Sequence, residues 1–158
     1  MEDELKTLVS ELGIEDRVRF TGMVPYEELP AYLTMCDAFV TASVTEVHPL
    51  SVVEAMGAGL PVVGIHSPGV GDTVEDGMTG FLSRHDLAAY TAKLTRLCLD
   101  PQLIMSMGEA ARKESTQYAI ERTTQIMLKH YERLVYDYHP KQRRLDARLR
   151  SLMEKFLS

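Results

Sequence analysis

One stretch, residues 45–61, constrains the fold more than any other part of the sequence; it reads T-E-V-H-P-L-S-V-V-E-A-M-G-A-G-L-P. Pro49 suits the first position of a helix, because its fixed φ is helical and its missing N–H is not needed there. The apolar run from Leu50 continues that helix, and Gly57 and Gly59 end it. The leucine–proline pair that follows leads into a buried strand. The stretch therefore predicts a loop, a short helix and a strand in succession.

The start of this predicted helix is suited to bind an anion. The amides of Leu50, Ser51 and Val52 have no partner inside the helix and carry the positive end of its dipole, where phosphate commonly binds. Glu46 lies just before these amides and Glu54 about a turn and a half after them. Carboxylates repel phosphate but accept hydrogen bonds from hydroxyl groups beside it, which indicates a nucleotide sugar. Alternatively, Glu46 only complements the helix dipole and Glu54 is a solvated helix residue.

Composition and charge argue against membrane-spanning and nucleic-acid-binding proteins. The chain has 158 residues, enough for one domain with its own core, and no apolar run approaches the roughly 20 residues that span a bilayer. The net charge is −6, although the residues from His139 onward hold six Lys or Arg against two Asp or Glu. An acidic body argues against nucleic acid as a partner. Cys36 and Cys98 form no metal or redox pattern, so we expect reduced core residues.

Helical and strand patterns alternate along the chain, which is typical of an α/β fold with a parallel sheet. The segment at 67–82 is rich in glycine and predicts a loop. We expect His139–Pro140 to interrupt the last long helix. The predicted helices are 2–12, 26–35, from Pro49 to the glycines, 86–99, 101–114 and 120–138, and the predicted strands are 17–20, 38–41, 62–65 and 80–82.

The central stretch resembles the signature of the group 1 family of retaining glycosyltransferases. That signature has two glutamates separated by seven residues, then an alanine, a glycine and a proline before a strand. The resemblance runs from about residue 2 to 135, and it departs at 47–49, where many members carry a small residue, an aromatic and a glycine. The residues that carry it are Val40, Ser43, Glu46, Pro49, Glu54, Ala55, Gly59, Pro61, Val62 and Val63.

The resemblance implies the GT-B architecture of two facing Rossmann-like domains, with this chain as the C-terminal, donor-binding part. It implies transfer of a hexose from a nucleotide-diphosphate sugar to an acceptor hydroxyl, with retention, without a cofactor and without a metal. Glu46 would accept hydrogen bonds from the donor hexose at the catalytic centre. The residues implied in donor binding are Glu54 at the ribose, Leu50 and Ser51 at the phosphates, Gly69 where the glycine-rich loop approaches the sugar, and His48 and Pro49 beside them.

The family's sheet has the strand order 3-2-1-4-5-6, and by resemblance the first two strands are absent here. So is a basic pair, an arginine and a lysine, that clamps the donor diphosphate in the family. Residues 17–20 and 38–41 would then flank a gap with unpaired strand edges. Strand rearrangement, a partner chain that supplies the strands, or a piece of a longer enzyme would each resolve it, and the last fits best. We therefore expect little or no turnover by the chain alone.

Other functions stay open at this point. The alternative is a non-catalytic nucleotide-binding or docking module of a glycosyltransferase complex; another GT-B enzyme, an epimerase or a phosphorylase, is a third hypothesis. We divide the chain into a partial nucleotide-sugar-binding domain, residues 1–138, and a basic amphipathic helix, residues 139–158. That helix would pack on its own domain, cross to a missing N-terminal domain, or contact an anionic membrane surface weakly. We expect a cytoplasmic protein, peripheral at the membrane in the last case.

Overall fold

Three parallel strands lie at the centre of the fold in the computed structural model, which describes the backbone of residues 2–156 and the side chains of residues 2–138. The strands are β1 (Phe39–Thr41), β2 (Val62–Ile65) and β3 (Gly80–Ser83), and their order in the sheet is β1-β2-β3. Val63 pairs with Val40 on one side and with Phe81 on the other. The predicted Rossmann-like, incomplete parallel sheet is thereby confirmed.

Seven helices and two short 3-10 turns complete the described backbone. Asp86 and Asp100 begin two of the helices as N-caps, and their carboxylates accept the amides of Ala89 at 2.8 Å and Leu103 at 3.0 Å. The helices are α1 (Glu2–Glu11), α2 (Leu29–Thr34), α3 (Leu50–Ala58), α4 (Pro68–Thr73), α5 (Leu87–Cys98), α6 (Pro101–Ser115) and α7 (Ile120–Phe156), and the 3-10 turns are Tyr26–Glu28 and Thr116–Tyr118.

The chain divides into two units, Met1–Cys36 and Asp37–Ser158. The described residues of the first unit, 2–36, contain α1, a 3-10 turn and α2, and no strand. The predicted strand at 17–20 is wrong, because the Arg17 amide donates to the Ile14 carbonyl at 2.9 Å in a turn. A strand also needs a neighbour, and no described residue pairs with this segment. The predicted division at residue 138 stays a prediction.

The core of the second unit lies on both faces of the sheet. Successive side chains of a strand point to opposite faces, so Val62 and Val63 enter different clusters. Val62 packs with Val52 and Met56 of α3, and with residues of α4 and α6. Val63 packs with Phe81, with Leu97 of α5 and with α6. Both β2 and β3 are buried along their whole length, as parallel strands covered by helices should be.

Strand β1 has one unpaired edge. It pairs with β2 alone, and no described strand lies on its other side. The Phe39 amide donates to the Pro61 carbonyl at 3.0 Å, so the intervening Val40 directs its N–H and C=O away from β2. Val40 is 50% exposed. This edge agrees with the sheet that we expected to be incomplete beside residues 38–41.

Helix α7 runs from Ile120 to Phe156, so the predicted interruption at His139–Pro140 is wrong. Its predicted apolar face exists, but the described side chains do not cover it: Met127, Tyr131 and Leu134 are each more than half exposed. The side chains of the basic tail lie outside the described residues. No described helix has the length and apolar character needed to cross a membrane.

The two cysteines are exposed, which corrects their assignment to the core. Cys98 is the last residue of α5 and Leu97 before it is fully buried. Adjacent residues of a helix differ by about 100° around its axis, so the buried leucine places the cysteine toward solvent. Cys36 follows the end of α2, where its thiol donates to the Tyr32 carbonyl at 3.3 Å.

Candidate functional site

The start of α3 is built by a tight turn at Pro49. Its φ of −79° and ψ of 78° are close to those of an inverse γ-turn, and the Leu50 amide donates to the His48 carbonyl at 2.9 Å across it. Pro49 is therefore the N-cap of α3, and our placement at the first helical position is wrong by one residue. The reason is its ψ of 78°, which lies outside the helical range and makes Pro49 the last residue before the helix.

This turn changes which amides can meet a ligand. The Leu50 amide is engaged in the γ-turn, and the Val52 and Val53 amides both donate to the Pro49 carbonyl, at 3.0 and 3.1 Å. The Ser51 amide has no partner among the residues that the structure describes. Of the three amides that we expected to be available, only that of Ser51 is free of local hydrogen bonds.

Helix α3 ends at Gly59, as predicted, but continues through Gly57. Gly59 has a φ of 87°, a left-handed conformation that favours glycine. The Leu60 amide donates to the Ala55 carbonyl at 3.0 Å, which closes the end of the helix. The Arg112 guanidinium donates to the Ala58 carbonyl at 2.9 Å. The start of α3 is thus fixed by local bonds, and its end by one local bond and one from α6.

The two glutamates of the signature lie in different environments. Glu46 is exposed in the loop before α3, and its carbonyl accepts the Gly69 amide at 3.0 Å. Glu54 is half-buried on α3, whose core-facing residues are Val52, Ala55 and Met56. We call residues 42–49 the Glu46 loop.

Gly69 holds the Glu46 loop by close approach. A Cβ at Gly69 would collide with the Glu46 carbonyl oxygen and would lie 2.8 Å from the backbone of Val47. No side chain fits there without displacing the loop. Glycine at this position is therefore already required by contact with the loop that carries Glu46. Its predicted approach to a sugar stays a prediction.

The glycine-rich segment that we predicted to be a loop contains α4, from Pro68 to Thr73. Ser67 is extended and Pro68 begins the helix, and the Thr73 hydroxyl donates to the Gly69 carbonyl at 2.8 Å. The two glycines of α4 are required by crowding: a Cβ at Gly71 would lie 3.2 Å from the His66 ring. Gly77, which follows, is instead required by a turn, because its φ is 85° and an added Cβ would meet nothing within 4 Å. Glycine content alone did not distinguish these two causes.

After α4 the chain makes a second acidic turn, residues 75–79, which we call the Asp76 turn. The Asp76 carboxylate accepts the Leu82 amide at 2.8 Å and pairs with the Lys93 ammonium at 2.9 Å. Lys93 also donates to the Leu82 carbonyl. Partial burial alone would raise the pKa of Asp76, but the hydrogen bonds from Leu82 and Lys93 outweigh it and hold this pKa below 3.8.

A cavity of about 300 Å³ opens beside the start of α3. His48, Pro49 and Leu50, all predicted donor-binding residues, form one wall together with Val53. The other walls are Thr73 of α4, Tyr118 and Thr123. Glu46, Ser51, Glu54 and Gly69 are not among the lining residues. The structure thus brings three of the seven predicted site residues to one cavity.

Sequence reasoning missed the far wall of this cavity. Tyr118 lies in the 3-10 turn after α6 and Thr123 in the first turns of α7, about seventy positions from Pro49. No local pattern connects segments so distant in sequence. A tyrosine at a helix junction was the one available signal. Among the described side chains, no group of three His, Cys, Asp or Glu is arranged to hold a metal ion.

A scan against protein families matches residues 1–114 to the model described as glycosyl transferases group 1. The chain is 32% identical, over 134 residues, to a 2-deoxystreptamine glucosyltransferase of Streptomyces kanamyceticus, covering 84% of this chain and 35% of that one. It is 38% identical, over 112 residues, to a D-inositol 3-phosphate glycosyltransferase of Streptomyces avermitilis, covering 70% and 24%. The chain thus spans about a quarter to a third of the length of these relatives.

Among solved structures, the fold is similar to that of Anabaena HepE in complex with UDP-glucose. The TM-score is 0.71 at 27% identity, with 82% of this chain and 36% of that chain covered.

Proposed function

The chain belongs to the group 1 glycosyl transferases, and from this premise we propose that it forms the donor-binding part of a retaining enzyme. That enzyme transfers a hexose from a nucleotide-diphosphate sugar to an acceptor hydroxyl. The observation that carries the proposal is the arrangement at α3: the Glu46 loop is held by Gly69, the Ser51 amide is open at the helix start, and Glu54 follows on the same helix.

The diphosphate binds at the start of α3. The Ser51 amide and the positive end of the helix dipole offer a site for an anion. The same positive potential would stabilise the leaving nucleoside diphosphate as its charge develops. The Leu50 amide can donate to the diphosphate only if its present hydrogen bond to the His48 carbonyl, which closes the γ-turn at Pro49, is broken. We assign the phosphate contact to Ser51 first.

The two carboxylates bind hydroxyl groups on either side of the diphosphate. Glu46 is exposed in its loop and accepts hydrogen bonds from the hexose, at the catalytic centre. Glu54 accepts hydrogen bonds from the ribose. A carboxylate accepting from a hydroxyl is a charge-assisted hydrogen bond, stronger than one between neutral groups. No cofactor is proposed, because the nucleotide sugar is itself the substrate.

The names of the relatives support the enzyme over the non-catalytic module. Both curated relatives are named as transferases, and HepE was solved with UDP-glucose. Their named acceptors, 2-deoxystreptamine and D-inositol 3-phosphate, are six-membered ring polyols, which supports a polyol as the acceptor here.

Binding tests the proposal without requiring turnover. Titration calorimetry of the full chain with UDP-glucose, GDP-mannose and ADP-glucose should detect at least one ligand. Glu54→Gln should weaken that ligand about tenfold or more, because it removes the charge from a hydrogen-bonded pair. Glu109→Gln is the matched control, since Glu109 is exposed on α6. Binding of no nucleotide sugar, or equal loss in both variants, contradicts the proposal.

A further inference from the structure

Helix α7 carries a row of apolar side chains that the described part of the chain leaves exposed. Leu128, Tyr131, Val135 and Tyr138 are each more than half exposed. They recur at intervals of three and four residues, which places them on one face of the helix. Among the residues that the structure describes, neither core cluster includes one from α7. Single exposed apolar residues are normal, but a contiguous row of this kind marks an interaction surface.

The sequence extends this row as a heptad repeat, with apolar residues at positions a and d of every seven, and the backbone is helical as far as Phe156. From residue 128 to residue 156, eight of the nine a and d positions are apolar or aromatic. A straight helix would rotate such a row by about 20° per heptad, so the row stays in line only when the helix supercoils around a partner. A repeat sustained over four heptads is typical of a coiled coil. We call this row the α7 seam; its a positions are Leu128, Val135, Gln142, Leu149 and Phe156, and its d positions are Tyr131, Tyr138, Leu145 and Leu152.

The positions of α7 outside the seam suit solvent. Lys129, Arg133 and Asp137 are exposed there, and the Arg133 guanidinium lies 3.9 Å from the Asp137 carboxylate. Pro140 falls at position f, opposite the seam. A proline inside a helix removes one backbone hydrogen bond, and at position f that loss falls on the solvent side, where a bent helix is convex. The proline is therefore compatible with a continuous seam.

The charges beside the seam and its one polar residue indicate a second copy of the same helix as the partner. Lys141 is at position g and Asp146 at the position e five residues later, so two parallel copies pair each lysine with the aspartate of the other. Antiparallel copies would instead set the basic g residues Lys141 and Arg148 near those of the other copy, which is unfavourable. Gln142 in parallel copies faces the same amide, which both donates and accepts hydrogen bonds.

We propose that the α7 seam pairs with the seam of a second copy of this chain, as a parallel two-stranded coiled coil. The seam is about 44 Å long at 1.5 Å per residue. Thr123, just before the seam, lines the cavity beside the start of α3, so parallel pairing holds the α3 helices of both copies at the same end of the coil. This pairing goes beyond the proposed function and does not depend on it.

Sedimentation equilibrium of the full chain at about 50 µM tests the pairing. Wild type should have twice the chain mass of 17.8 kDa. Val135→Glu sets two carboxylates against each other in the seam and should raise the dissociation constant of the dimer about a hundredfold or more. Val135 is 55% exposed in the single chain, so this change leaves the packed core intact.

Tyr136→Glu is the matched control for Val135→Glu. It adds the same charge at the next residue, which is exposed and lies outside the seam, and it should leave the mass unchanged. A monomeric wild type overturns the proposal. So does a dimer that Val135→Glu weakens no more than Tyr136→Glu does, because its interface would then lie elsewhere.

Cysteine cross-linking tests the parallel direction. In a chain with Cys36→Ser and Cys98→Ser, Leu128→Cys places two thiols side by side across a parallel seam, within reach of a disulfide. Antiparallel copies would separate these thiols by roughly 35 Å. Lys129→Cys, outside the seam, is the control and should form little cross-linked dimer. A dimer that Leu128→Cys does not cross-link, or that both variants cross-link equally, overturns the parallel pairing.

Lipid vesicles test the other surface that an apolar helix face can contact. Cosedimentation of the chain with vesicles of phosphatidylserine and phosphatidylcholine should not depend on Val135, because the seam is covered by the second copy. A monomer whose vesicle binding is lost in Val135→Glu and kept in Tyr136→Glu would assign the seam to a membrane surface, and would overturn the proposal.

Discussion

The Glu46 loop and the Asp76 turn both connect helices and strands of one sheet, yet they use their acidic side chains in opposite ways. Asp76 directs its carboxylate inward, to the Leu82 amide and the Lys93 ammonium. Among the described residues, the bond that holds Glu46 is the one from the Gly69 amide to its carbonyl, and its side chain is exposed. The Asp76 carboxylate therefore takes part in holding the fold, whereas the exposed Glu46 carboxylate is the one that we propose for ligand binding.

Steric contacts at two glycines, Gly80 and Gly69, show the same difference between the Asp76 turn and the Glu46 loop. A Cβ at Gly80, beside the Asp76 turn, would meet the backbone of a buried strand, β2. A Cβ at Gly69 would meet the backbone of an exposed loop. A strand in the core cannot move without opening its ladder, whereas a loop can. Equal steric conflicts should therefore damage stability in one place and binding in the other.

The largest effect is expected for Gly80→Ala. Its Cβ would lie 2.7 Å from the Val62 amide nitrogen and would also collide with the Val62 carbonyl. We expect the free energy of unfolding to fall by about 3 kcal/mol or more, since overpacking here separates β2 from β3. Urea denaturation followed by circular dichroism measures it. A decrease of less than about 1 kcal/mol in the free energy of unfolding would show that β2 and β3 can shift to accommodate the methyl group. It would contradict the expected difference between Gly80 and Gly69.

Gly69→Ala should reduce ligand affinity more than stability, in contrast to Gly80→Ala. We expect the free energy of unfolding to fall by about 1–2 kcal/mol, because the Glu46 loop can move away. Affinity for the nucleotide sugar should fall by about tenfold or more, because Glu46 moves with the loop. Calorimetry and denaturation on the same sample give both values. Unchanged affinity alongside lost stability would show that the loop does not position the donor.

Asp76→Asn should have a smaller effect that depends on pH. The pKa of Asp76 is held below 3.8 in the folded chain, so its charge stabilises the fold above that value and is lost as pH falls through the lowered pKa. Lys93 and Asp76 are partly exposed, so the loss near pH 7 should stay below about 1 kcal/mol. Denaturation at pH 7 and pH 3 measures it. The difference between wild type and variant should shrink at pH 3; a larger difference there contradicts the assignment.

The smallest effect is expected for Gly57→Ala, and it has the opposite sign. Gly57 lies within α3, and its added Cβ would meet only the Ser115 hydroxyl, at 3.8 Å. Alanine restricts the unfolded chain, so stability should rise by about 0.5 kcal/mol. Thermal unfolding checks it. A decrease would show that α3 does not accommodate a methyl group at this position, and would contradict the open space that the structure gives it.

Features with a local cause could be predicted from the sequence. The helices predicted at 86–99 and 101–114 correspond to α5 and α6. The run at 62–65, predicted to be a buried strand, is β2, which is buried along its whole length. The glycine at 59 ends α3 because the left-handed conformation there favours glycine. The resemblance of the stretch with Glu46 and Glu54 to the family's signature indicated the family that the comparison confirms.

What failed depends on parts of the chain far from the residue concerned. The pattern at 17–20 suits a strand, but no described strand pairs with it. The pair His139–Pro140 predicts the end of a helix, yet α7 continues through it. The far wall of the cavity, Tyr118 and Thr123, is brought to α3 only by the packed fold. The roles of the individual site residues, the cytoplasmic location and the role of the basic tail stay predictions.

The edge of β1 that no described strand covers should affect how readily the protein aggregates in solution. A short parallel strand with outward-facing peptide groups at Val40 is a template for a strand of any neighbouring molecule. Encounters between two such edges rise with the square of protein concentration, so dilute, cool stocks of this chain should keep longer than concentrated ones. A lysine in place of Val40 would oppose like-charged edges and extend shelf life without touching the α3 cavity.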